Sequence, residues 1–434
     1  MASICGVAGP SATCCVGPVA DPVPTGRWPV VVVGAGPAGA LAALGLARQG
    51  VPVLLVERRR FPRWKVCGAC LSGQALAALE QAGQGPLLDQ LGARPLRSVQ
   101  LGLQGARAEL ALPAGRVVSR LALDQGLVAA AVAAGATLVP ETMAELGPAD
   151  PGARPVQLRR GRESATVQAE LVLVAAGLAH RCLRQLPEVA TRIQTGSRIG
   201  AGCLLPAPNH ACHDPALAAY GDGRLHMAIG RHGYVGLVRL EDGALNVAAA
   251  FDGAALAAAG GPAAAASQVL SEAGFDPLPA LTPAAWQLTP ALSRRSRPLA
   301  GYRYLLLGDA AGYVEPFTGE GMGWALMAAL SSTPLALAAL DGGWDDQLAR
   351  DWSRSQAALM ARRQRLCQAL ALVLRRPWSS RFVFDAVRRW PGLADPMLAA
   401  LHRPALHGVA LPGSALPGSA LSGSAQAPLS TPCP

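Results

Sequence analysis

The alternation of apolar and polar positions divides the first part of the chain into regular elements. A short apolar run at residues 28–33 predicts a β-strand, residues 37–49 predict a helix, and residues 53–57 predict a second strand. Strands joined through a helix favour parallel pairing, because the helix carries the chain back to the starting edge of the sheet. This part of the chain therefore predicts an α/β domain.

The same pattern continues toward the middle of the chain. Residues 121–134 predict another helix, and residues 156–159 and 165–168 predict a hairpin around Gly161. An all-apolar run at residues 171–175 predicts a strand that is buried on both faces, as in a parallel sheet. We expect this strand to return to the first sheet.

A different pattern begins near residue 198. Between residues 198 and 251, short strands are separated by turns at residues 221–223 and 242–243, which predicts an antiparallel meander. A strand at residues 302–307 is expected to rejoin the first sheet, and helices follow over residues 321–406. The chain therefore predicts two joined domains, which its 434 residues also favour.

Composition supports a folded chain with a large core. The sequence is 51% hydrophobic and only 15% charged, yet its apolar runs are too short to predict a membrane-spanning helix. Residues 1–27 lack a basic region ahead of an apolar core, so we interpret them as a disordered leader. The ten cysteines have no framework spacing, which favours reduced thiols and a cytoplasmic location.

The formal charge of +10 is concentrated near the C-terminus. Residues 350–390 contain ten arginines against Asp351 and Asp385. Apolar residues such as Leu366 and Leu370 are interleaved with the arginines, so a membrane surface or an acidic partner fits better than nucleic acid, and we expect no nucleic-acid partner. The alternative is an ordinary solvated helical face. Residues 410–434 repeat Leu-Pro-Gly-Ser-Ala-like units and predict a low-complexity tail.

The most specific motif follows the first predicted strand. In Gly34-Ala-Gly36-Pro-Ala-Gly39, the first glycine permits a tight turn, the second lets the backbone approach a pyrophosphate, and the third allows close helix–strand packing. The helix N-terminus offers free amides to the phosphates. Glu57 ends the second strand, where its carboxylate can bind ribose hydroxyls, and Arg58 beside it is a further cofactor-binding candidate. This combination predicts a bound dinucleotide.

A second glycine-rich motif follows the strand at residues 302–307. Gly308-Asp309 places a carboxylate at the strand end, where it can bind a ribityl hydroxyl. Gly319 and Gly321 open a helix whose amides can stabilise negative charge on a reduced flavin ring. Pro316 and Met322 belong to the same run, and we include both among the cofactor-binding candidates.

The two motifs together resemble the FAD-dependent oxidoreductase superfamily that holds p-hydroxybenzoate hydroxylase, flavin halogenases and geranylgeranyl reductases. The resemblance covers residues 28–390 and implies FAD as the cofactor, with Arg120 contacting it at the start of a helix that also carries Asp124. We therefore predict an α/β fold with a Rossmann-like FAD-binding domain, an antiparallel-sheet substrate domain and C-terminal helices. The expected boundaries are 28–180 and 296–340 for the FAD-binding domain, 181–295 for the substrate domain and 341–409 for the helical region.

Departures from the superfamily's sequence patterns indicate which of its branches the chain resembles. Gly312 and residues 318–321 resemble the reductase and halogenase branches rather than the hydroxylases, but the halogenase Trp-x-Trp-x-Ile-Pro signature and the reductase aromatic-Pro ending are both absent. The motif that is normally Asp-Gly is Ala176-Gly177 here, which argues against direct use of NADPH. No second dinucleotide motif follows, so a nicotinamide cofactor would bind transiently or a reductase partner would supply electrons.

Two residues in the segment after the second strand are catalytic candidates. Lys65 is the only lysine among 38 basic residues, which suggests a role for a compact ammonium group, although chance survival explains it equally well. Cys67 lies in the segment that resembles the part of the reductases covering the flavin. With Cys70 it forms a Cys-x-x-Cys spacing, for which a redox pair is the minority interpretation.

The remaining expectations concern metals and the reaction. We interpret His210, Cys212 and His213 as surface residues, and predict no metal site. Apolar residues on the meander predict a pocket for a hydrophobic polyketide- or isoprenoid-like substrate. Hydroxylation by a monooxygenase is the slightly favoured reaction. Reduction of a carbon–carbon double bond and electron transfer to a quinone remain open.

Overall fold

The computed structural model describes residues 22–207, 215–315, 317 and 319–402. Within them the chain forms two large sheets, two small sheets and a C-terminal set of helices. The strands are β1 Gly26–Val33, β2 Val53–Val56, β3 Cys70–Ser72, β4 Arg94–Pro95, β5 Ser98–Leu103, β6 Ala106–Ala111, β7 Gly115–Val117, β8 Thr137–Val139, β9 Met143–Leu146, β10 Arg154–Arg160, β11 Glu163–Val174, β12 Ala190–Ile193, β13 Ile199–Leu205, β14 Arg224–Gly230, β15 Gly233–Arg239, β16 Leu245–Phe251, β17 Gln287–Ala291, β18 Arg294–Arg297, β19 Ala300–Gly301, β20 Tyr304–Leu306 and β21 Gly312–Tyr313.

Helices connect the strands and follow them. They are α1 Pro37–Ala47, α2 Gly73–Gln81, α3 Gly85–Gln90, α4 Arg120–Ala133, α5 Pro215–Ala218, α6 Gly253–Ala258, α7 Pro262–Glu272, α8 Gly321–Asp341, α9 Asp346–Leu374, α10 Pro377–Arg389 and α11 Asp395–His402. The predicted α/β fold class is confirmed.

The first sheet has a parallel core in the order β20-β11-β1-β2-β8. Residues 30–33 of β1 are buried on both faces: α1, α4 and α8 cover the face that carries Val30 and Val32, and a second apolar cluster covers the face that carries Val31 and Val33. The predicted hairpin is formed by β10 and the beginning of β11, and the predicted all-apolar strand is the end of β11. The beginning of β11 pairs antiparallel with β10, and residues 167–174 pair parallel with β1.

The second sheet has the order β17-β13-β16-β15-β14-β5-β6. Within the region predicted as a meander, β14, β15 and β16 pair in chain order, but β13 pairs with β16 and not with β14, so the meander is shorter than predicted. Neighbouring strands of this sheet pair antiparallel except for the parallel pair β14–β5. Residues 98–111 lie within the range 28–180 assigned to the FAD-binding domain, yet β5 and β6 belong to this second sheet. The chain therefore crosses to the second sheet once before the meander begins, and local patterning could not reveal that pairing.

Helix α8 is the central helix of the first domain. It is long and apolar enough to span a membrane on length and composition alone, which the sequence analysis did not recognise. However, 61% of its most apolar window is buried within the protein, against α1 and α2 in particular. Helix α9 covers the same core, where the Trp352 indole donates a hydrogen bond to the Leu306 carbonyl at 3.2 Å. These contacts are those of a core helix.

Several predictions fall on residues that are not described. They include residues 1–21 of the leader, the group His210, Cys212 and His213, residues 403–409 of the helical region and the tail at residues 410–434. Pro316 also lies outside the described residues.

Candidate functional site

The glycine-rich turn between β1 and α1 has the geometry that its sequence predicts. Gly34 has φ +102°, and a Cβ there would lie 2.4 Å from the Ala175 carbonyl oxygen. A Cβ on Gly39 would overlap the Gly34 carbonyl oxygen, so the helix packs against the turn closely enough to exclude any side chain. Gly36 instead faces the cavity, and its nearest neighbours would be the guanidinium groups of Arg120 at 3.4 Å and Arg63 at 3.9 Å.

Three buried charged residues and the largely buried Arg63 lie beside this turn. Asp124 accepts two hydrogen bonds of 2.8 Å from Arg120, and Arg63 bridges Asp124 at 3.0 Å and Glu57 at 3.1 Å. Burial alone would lower the pKa of Arg120, but the Asp124 carboxylate outweighs it and raises that pKa. Arg120 therefore stays charged while it faces Gly36. Sequence analysis identified Arg120 but missed Arg63.

Glu57 holds the turn between β1 and α1. One of its oxygens accepts a hydrogen bond from the Ala35 amide at 3.0 Å, and the other accepts one from the Arg59 amide at 3.0 Å. Its side chain is buried at the end of β2, as the motif predicts. Arg58 next to it is exposed, so it lies at the margin of the site.

The second predicted motif meets the first across the cavity. Gly308 and Asp309 follow β20 and line the cavity together with Gly36, and a Cβ on Gly308 would lie 3.2 Å from the Ala38 side chain. Gly319, Gly321 and Met322 at the start of α8 line the same cavity. All the predicted cofactor-binding residues except Pro316 lie within the described residues. The predicted set is Gly34, Gly36, Gly39, Glu57, Arg58, Arg120, Gly308, Asp309, Pro316, Gly319, Gly321 and Met322.

Lys65 reaches into the same cavity from the segment after β2. Its Nζ would lie 3.1 Å from a Cβ on Gly177, so the glycine leaves room for the ammonium group. Burial lowers the pKa of Lys65, and the positive charge of Arg120 lowers it further, while Asp309 acts in the opposite direction. An ammonium with a lowered pKa releases its proton more readily than an exposed lysine does.

The two nearby cysteines differ in their surroundings. Cys67 is half-buried and lines the cavity, and its carbonyl accepts a hydrogen bond from the Asn246 side chain at 2.9 Å. Cys70 is buried in β3, where burial, and then the neighbouring Cys67, raise the pKa of its thiol to about 12. Both are free thiols, and Cys70 stays protonated.

Beyond these groups the cavity is walled by apolar side chains from distant parts of the chain. The second sheet, the loop after Gly177, the region before α8 and the C-terminal helices contribute Leu101, Leu178, Leu225, Met227, Tyr234, Ala249, Leu292, Tyr313, Phe317, Leu370, Met397 and Leu398. We call this part the apolar chamber. The segment that carries Lys65 also contacts the second sheet, because Trp64 and Val66 pack beside Gly202 of β13.

Two buried tyrosine hydroxyls belong to residues that line the chamber. Burial raises the pKa values of both Tyr234 and Tyr313 well above the usual value. The Tyr313 hydroxyl lies at the start of α8, 3.1 Å from where a Cβ on Gly321 would be. Both hydroxyls are therefore neutral hydrogen-bond donors at any physiological pH.

A buried ion-pair network beside the chamber was missed by sequence analysis. Glu315 pairs with Arg198, the residue before β13, at 2.9 Å and with Arg375 at the end of α9 at 3.2 Å. Arg198 also lies over the Tyr234 ring, 5.6 Å from its centroid. The network joins the second sheet, the second flavin motif and the C-terminal helices.

The residues present fit an FAD molecule. The open face of Gly36, the free amides of α1 and the two charged guanidinium groups form a cradle for a pyrophosphate, which a side chain on Gly36 would fill. Asp309 lies on the path from this cradle to the start of α8. Lys65 and the apolar chamber line the same cavity as this cradle.

Comparison with known proteins agrees with this assignment. A family model described as an FAD binding domain matches residues 27–201. A menaquinone reductase of Mycobacterium tuberculosis (strain CDC 1551 / Oshkosh) is 31% identical over 365 residues, which cover 80% of this chain and 84% of the relative. Digeranylgeranylglycerophospholipid reductase 1 of Methanopyrus kandleri is 30% identical over 73% of this chain and 82% of the relative.

Solved structures with low sequence identity share the fold. A p-nitrophenol 4-monooxygenase from Pseudomonas putida DLL-E4 superposes with a TM-score of 0.69 at 15% identity, over 87% of this chain and 98% of that chain. A flavin-dependent brominase superposes with a TM-score of 0.68 at 17% identity, over 87% of this chain and 93% of that chain. The shared architecture therefore extends over both large sheets.

Proposed function

The chain belongs to the family of FAD-dependent oxidoreductases that these relatives represent, and from that premise we propose that it reduces a carbon–carbon double bond in an isoprenoid chain. The observation that carries the proposal is the apolar chamber, which extends from Lys65 at the cofactor end to Leu370 and Leu398 on the C-terminal helices. An apolar substrate gains free energy by leaving water for such a lining, at roughly 25 cal/mol per Å² of buried surface.

The names of the relatives support this substrate class. One relative is named for menaquinone and the other for a digeranylgeranylglycerophospholipid, and both compounds carry isoprenoid chains. A geranylgeranyl chain offers isolated double bonds and no other reducible group. Both names describe a reductase that acts on an isoprenoid compound, and a double bond in the chain is the reducible group that the two compounds share.

The chain's own residues would hold the cofactor and supply the proton. Gly36, Arg63, Arg120, Glu57 and Asp309 would hold FAD, which supplies a hydride when it is reduced. One alkene carbon accepts that hydride and the other accepts a proton, so the product gains two hydrogens. We assign the proton to the Lys65 ammonium, because its pKa is lowered and it lies at the cofactor end of the chamber.

Cys67 completes the proposed catalytic end of the chamber. It lies two residues from Lys65 and lines the same wall, so we propose that its thiol contacts the reacting part of the substrate. The Tyr234 and Tyr313 side chains extend the wall and help to exclude water from the reacting atoms.

The source of electrons is a further part of the proposal. We propose a nicotinamide cofactor that binds transiently, or a reductase partner, because the chain has one dinucleotide motif and that site fits FAD. Ala176 stands where relatives carry an aspartate that contacts both cofactors, which favours the partner protein.

Hydroxylation is the second candidate function. The same apolar chamber would protect a flavin hydroperoxide from water, which a monooxygenase requires. The absence of the aromatic-Pro ending that is expected of geranylgeranyl reductases also favours this candidate.

Turnover with and without oxygen separates the two reactions. The FAD-loaded protein is reduced chemically and given a polyprenyl quinone, and the product is analysed by mass spectrometry. The proposal expects a product with two extra hydrogens in the chain under strict anaerobiosis. Incorporation of labelled oxygen from O₂ would establish hydroxylation instead, and reduction confined to the quinone ring would indicate electron transfer.

A further inference from the structure

The C-terminal helices expose an unusual set of large apolar side chains. Of ten large hydrophobic residues that are exposed among the described residues, six lie between residues 372 and 393. They are Leu372 (62% exposed), Trp378 (71%), Phe382 (74%), Val383 (40%), Trp390 (62%) and Leu393 (59%). We call these six residues, with the arginines among them, the aromatic-basic surface. Exposed apolar patches of this kind mark interaction sites.

The charges on this surface identify the kind of partner. Five arginines lie between residues 372 and 395, against Asp385 and Asp395. Trp378, Phe382 and Arg389 fall on one face of α10, because they are spaced by four and seven residues. Large aromatic side chains mixed with arginines suit the boundary between anionic lipid headgroups and acyl chains, where rings enter the apolar layer and guanidinium groups reach the phosphates.

The inner side of the same helices faces the apolar chamber. Leu370 of α9 and Met397 and Leu398 of α11 line it, and Phe384 of α10 packs in the same cluster as Met227 of the second sheet. A lipid surface that held the outer side would therefore lie next to the chamber wall. A long apolar substrate could then pass from the lipid into the chamber without crossing water.

We propose that the aromatic-basic surface docks the protein on an anionic membrane. The protein is then peripheral: α10 lies in the plane of the interface, with the indole of Trp378 and the ring of Phe382 inserted among the lipids. Arg376 and Arg389, both exposed, contact the headgroup phosphates. The expected location is the cytoplasmic side of the membrane. This inference goes beyond the proposed reaction and does not depend on it.

Vesicle flotation of the full-length, FAD-loaded protein tests the docking. The vesicles contain phosphatidylcholine with roughly one third phosphatidylglycerol, and neutral phosphatidylcholine vesicles serve as the comparison. We expect the protein to float with the anionic vesicles, and to do so less at high salt because surface charges are screened. Failure of the wild-type protein to float with anionic vesicles would overturn the proposal.

Paired variants locate the surface. Trp378→Ser with Phe382→Ser removes two exposed rings, and we expect vesicle partitioning to fall at least about tenfold for each ring. The control is Met143→Ser with Ile193→Ser, which removes two exposed hydrophobic residues elsewhere (56% and 53% exposed) and should leave flotation unchanged. Bound flavin per chain and melting temperature verify that both variants fold.

The charge variant and two other measurements complete the test. Arg376→Gln with Arg389→Gln should weaken binding to anionic vesicles about fivefold or more per arginine, while weak binding to neutral vesicles is unchanged. Equal flotation of the Trp378/Phe382 variant and the wild-type protein would contradict the proposal. So would a wild-type dimer that this variant dissociates, or binding to oligonucleotides in place of vesicles. These experiments measure no turnover, so their outcome neither supports nor contradicts the proposed reaction.

Discussion

The two ends of the cavity are built in opposite ways. The cofactor end is made from backbone turns and buried charges, in which Gly36 faces Arg63 and Arg120 and Asp124 holds both guanidinium groups. The apolar chamber is made from generic aliphatic and aromatic side chains on the second sheet and the C-terminal helices. One end tolerates almost no substitution, since a side chain would occupy the space of a phosphate. The other end can change its lining while it remains apolar.

The largest expected effect is at the cofactor end. Gly36→Val should abolish FAD binding, because its side chain would project toward the two guanidinium groups and fill the pyrophosphate cradle. The matched control is Gly221→Val, since a Cβ on Gly221 would meet nothing within 4 Å. Flavin absorbance per chain is the measurement. If the Gly36 variant is purified with stoichiometric yellow flavin, the cofactor end tolerates a side chain at Gly36 and does not differ from the chamber in this respect.

Lys65 lies where the cofactor end meets the apolar chamber, and its substitution tests its role as a proton donor. Lys65→Arg keeps a positive charge but replaces an acid of lowered pKa with a guanidinium group that does not release its proton. We expect turnover to fall by about 10²–10⁴, the usual contribution of a general acid, with bound flavin unchanged. Steady-state rates and flavin content are compared. Turnover at the wild-type rate would show that the only lysine has no chemical role.

The connection between the chamber and the C-terminal helices depends on Glu315. Glu315→Ala leaves Arg198 buried without its main partner, and we expect a loss of about 3–5 kcal/mol in the free energy of unfolding. Glu163→Ala, which breaks an exposed ion pair with Arg160, should cost less than about 1 kcal/mol. Urea denaturation of both variants gives the comparison. Equal losses would mean that the buried network stabilises no more than a surface pair.

A smaller effect concerns the start of α8, where the two ends meet. Burial raises the pKa of Glu320 to about 7, although Arg363 acts in the opposite direction. The stability contributed by the protonated form is therefore full below about pH 4.5 and is lost as the pH rises through 7. The difference between the ordinary pKa of 4.5 and the pKa of about 7 in the folded protein corresponds to roughly 3 kcal/mol in the free energy of unfolding.

The Glu320→Gln variant measures this contribution. Its free energy of unfolding relative to the wild-type protein should increase between pH 5 and pH 8, because glutamine cannot ionise. A pH-independent difference for Glu320→Gln would show that this carboxyl titrates normally in the folded protein.

The same contrast explains what the sequence could reveal. The turn at Gly34, Gly36 and Gly39 was predictable because backbone geometry admits only glycine there, and Asp309 was predictable from its place after an apolar strand. Arg198, Glu315 and Arg375 were not, because their partners are 60 to 117 residues apart in sequence. No local pattern marks such a pairing.

The fold follows the same division. β1, α1 and β2 were predicted to within two or three residues because periodicity and turn residues are local. The assignment of β5 and β6 to the second sheet depends on pairing with β14, more than 100 residues later. The buried environment of α8 likewise depends on packing against α1 and α2, so its length and composition were ambiguous without the tertiary structure.

The central claim is that the reduced flavin delivers its electrons to a double bond in the chamber. Anaerobic stopped-flow absorbance tests it with two quinones that share a head group, one with an unsaturated isoprenoid chain and one with the saturated chain. We predict that the unsaturated compound reoxidises the flavin without oxygen and that the saturated compound does not. Equal reoxidation by both compounds would place the electrons on the quinone ring, and no reoxidation by either until oxygen is admitted would contradict the account.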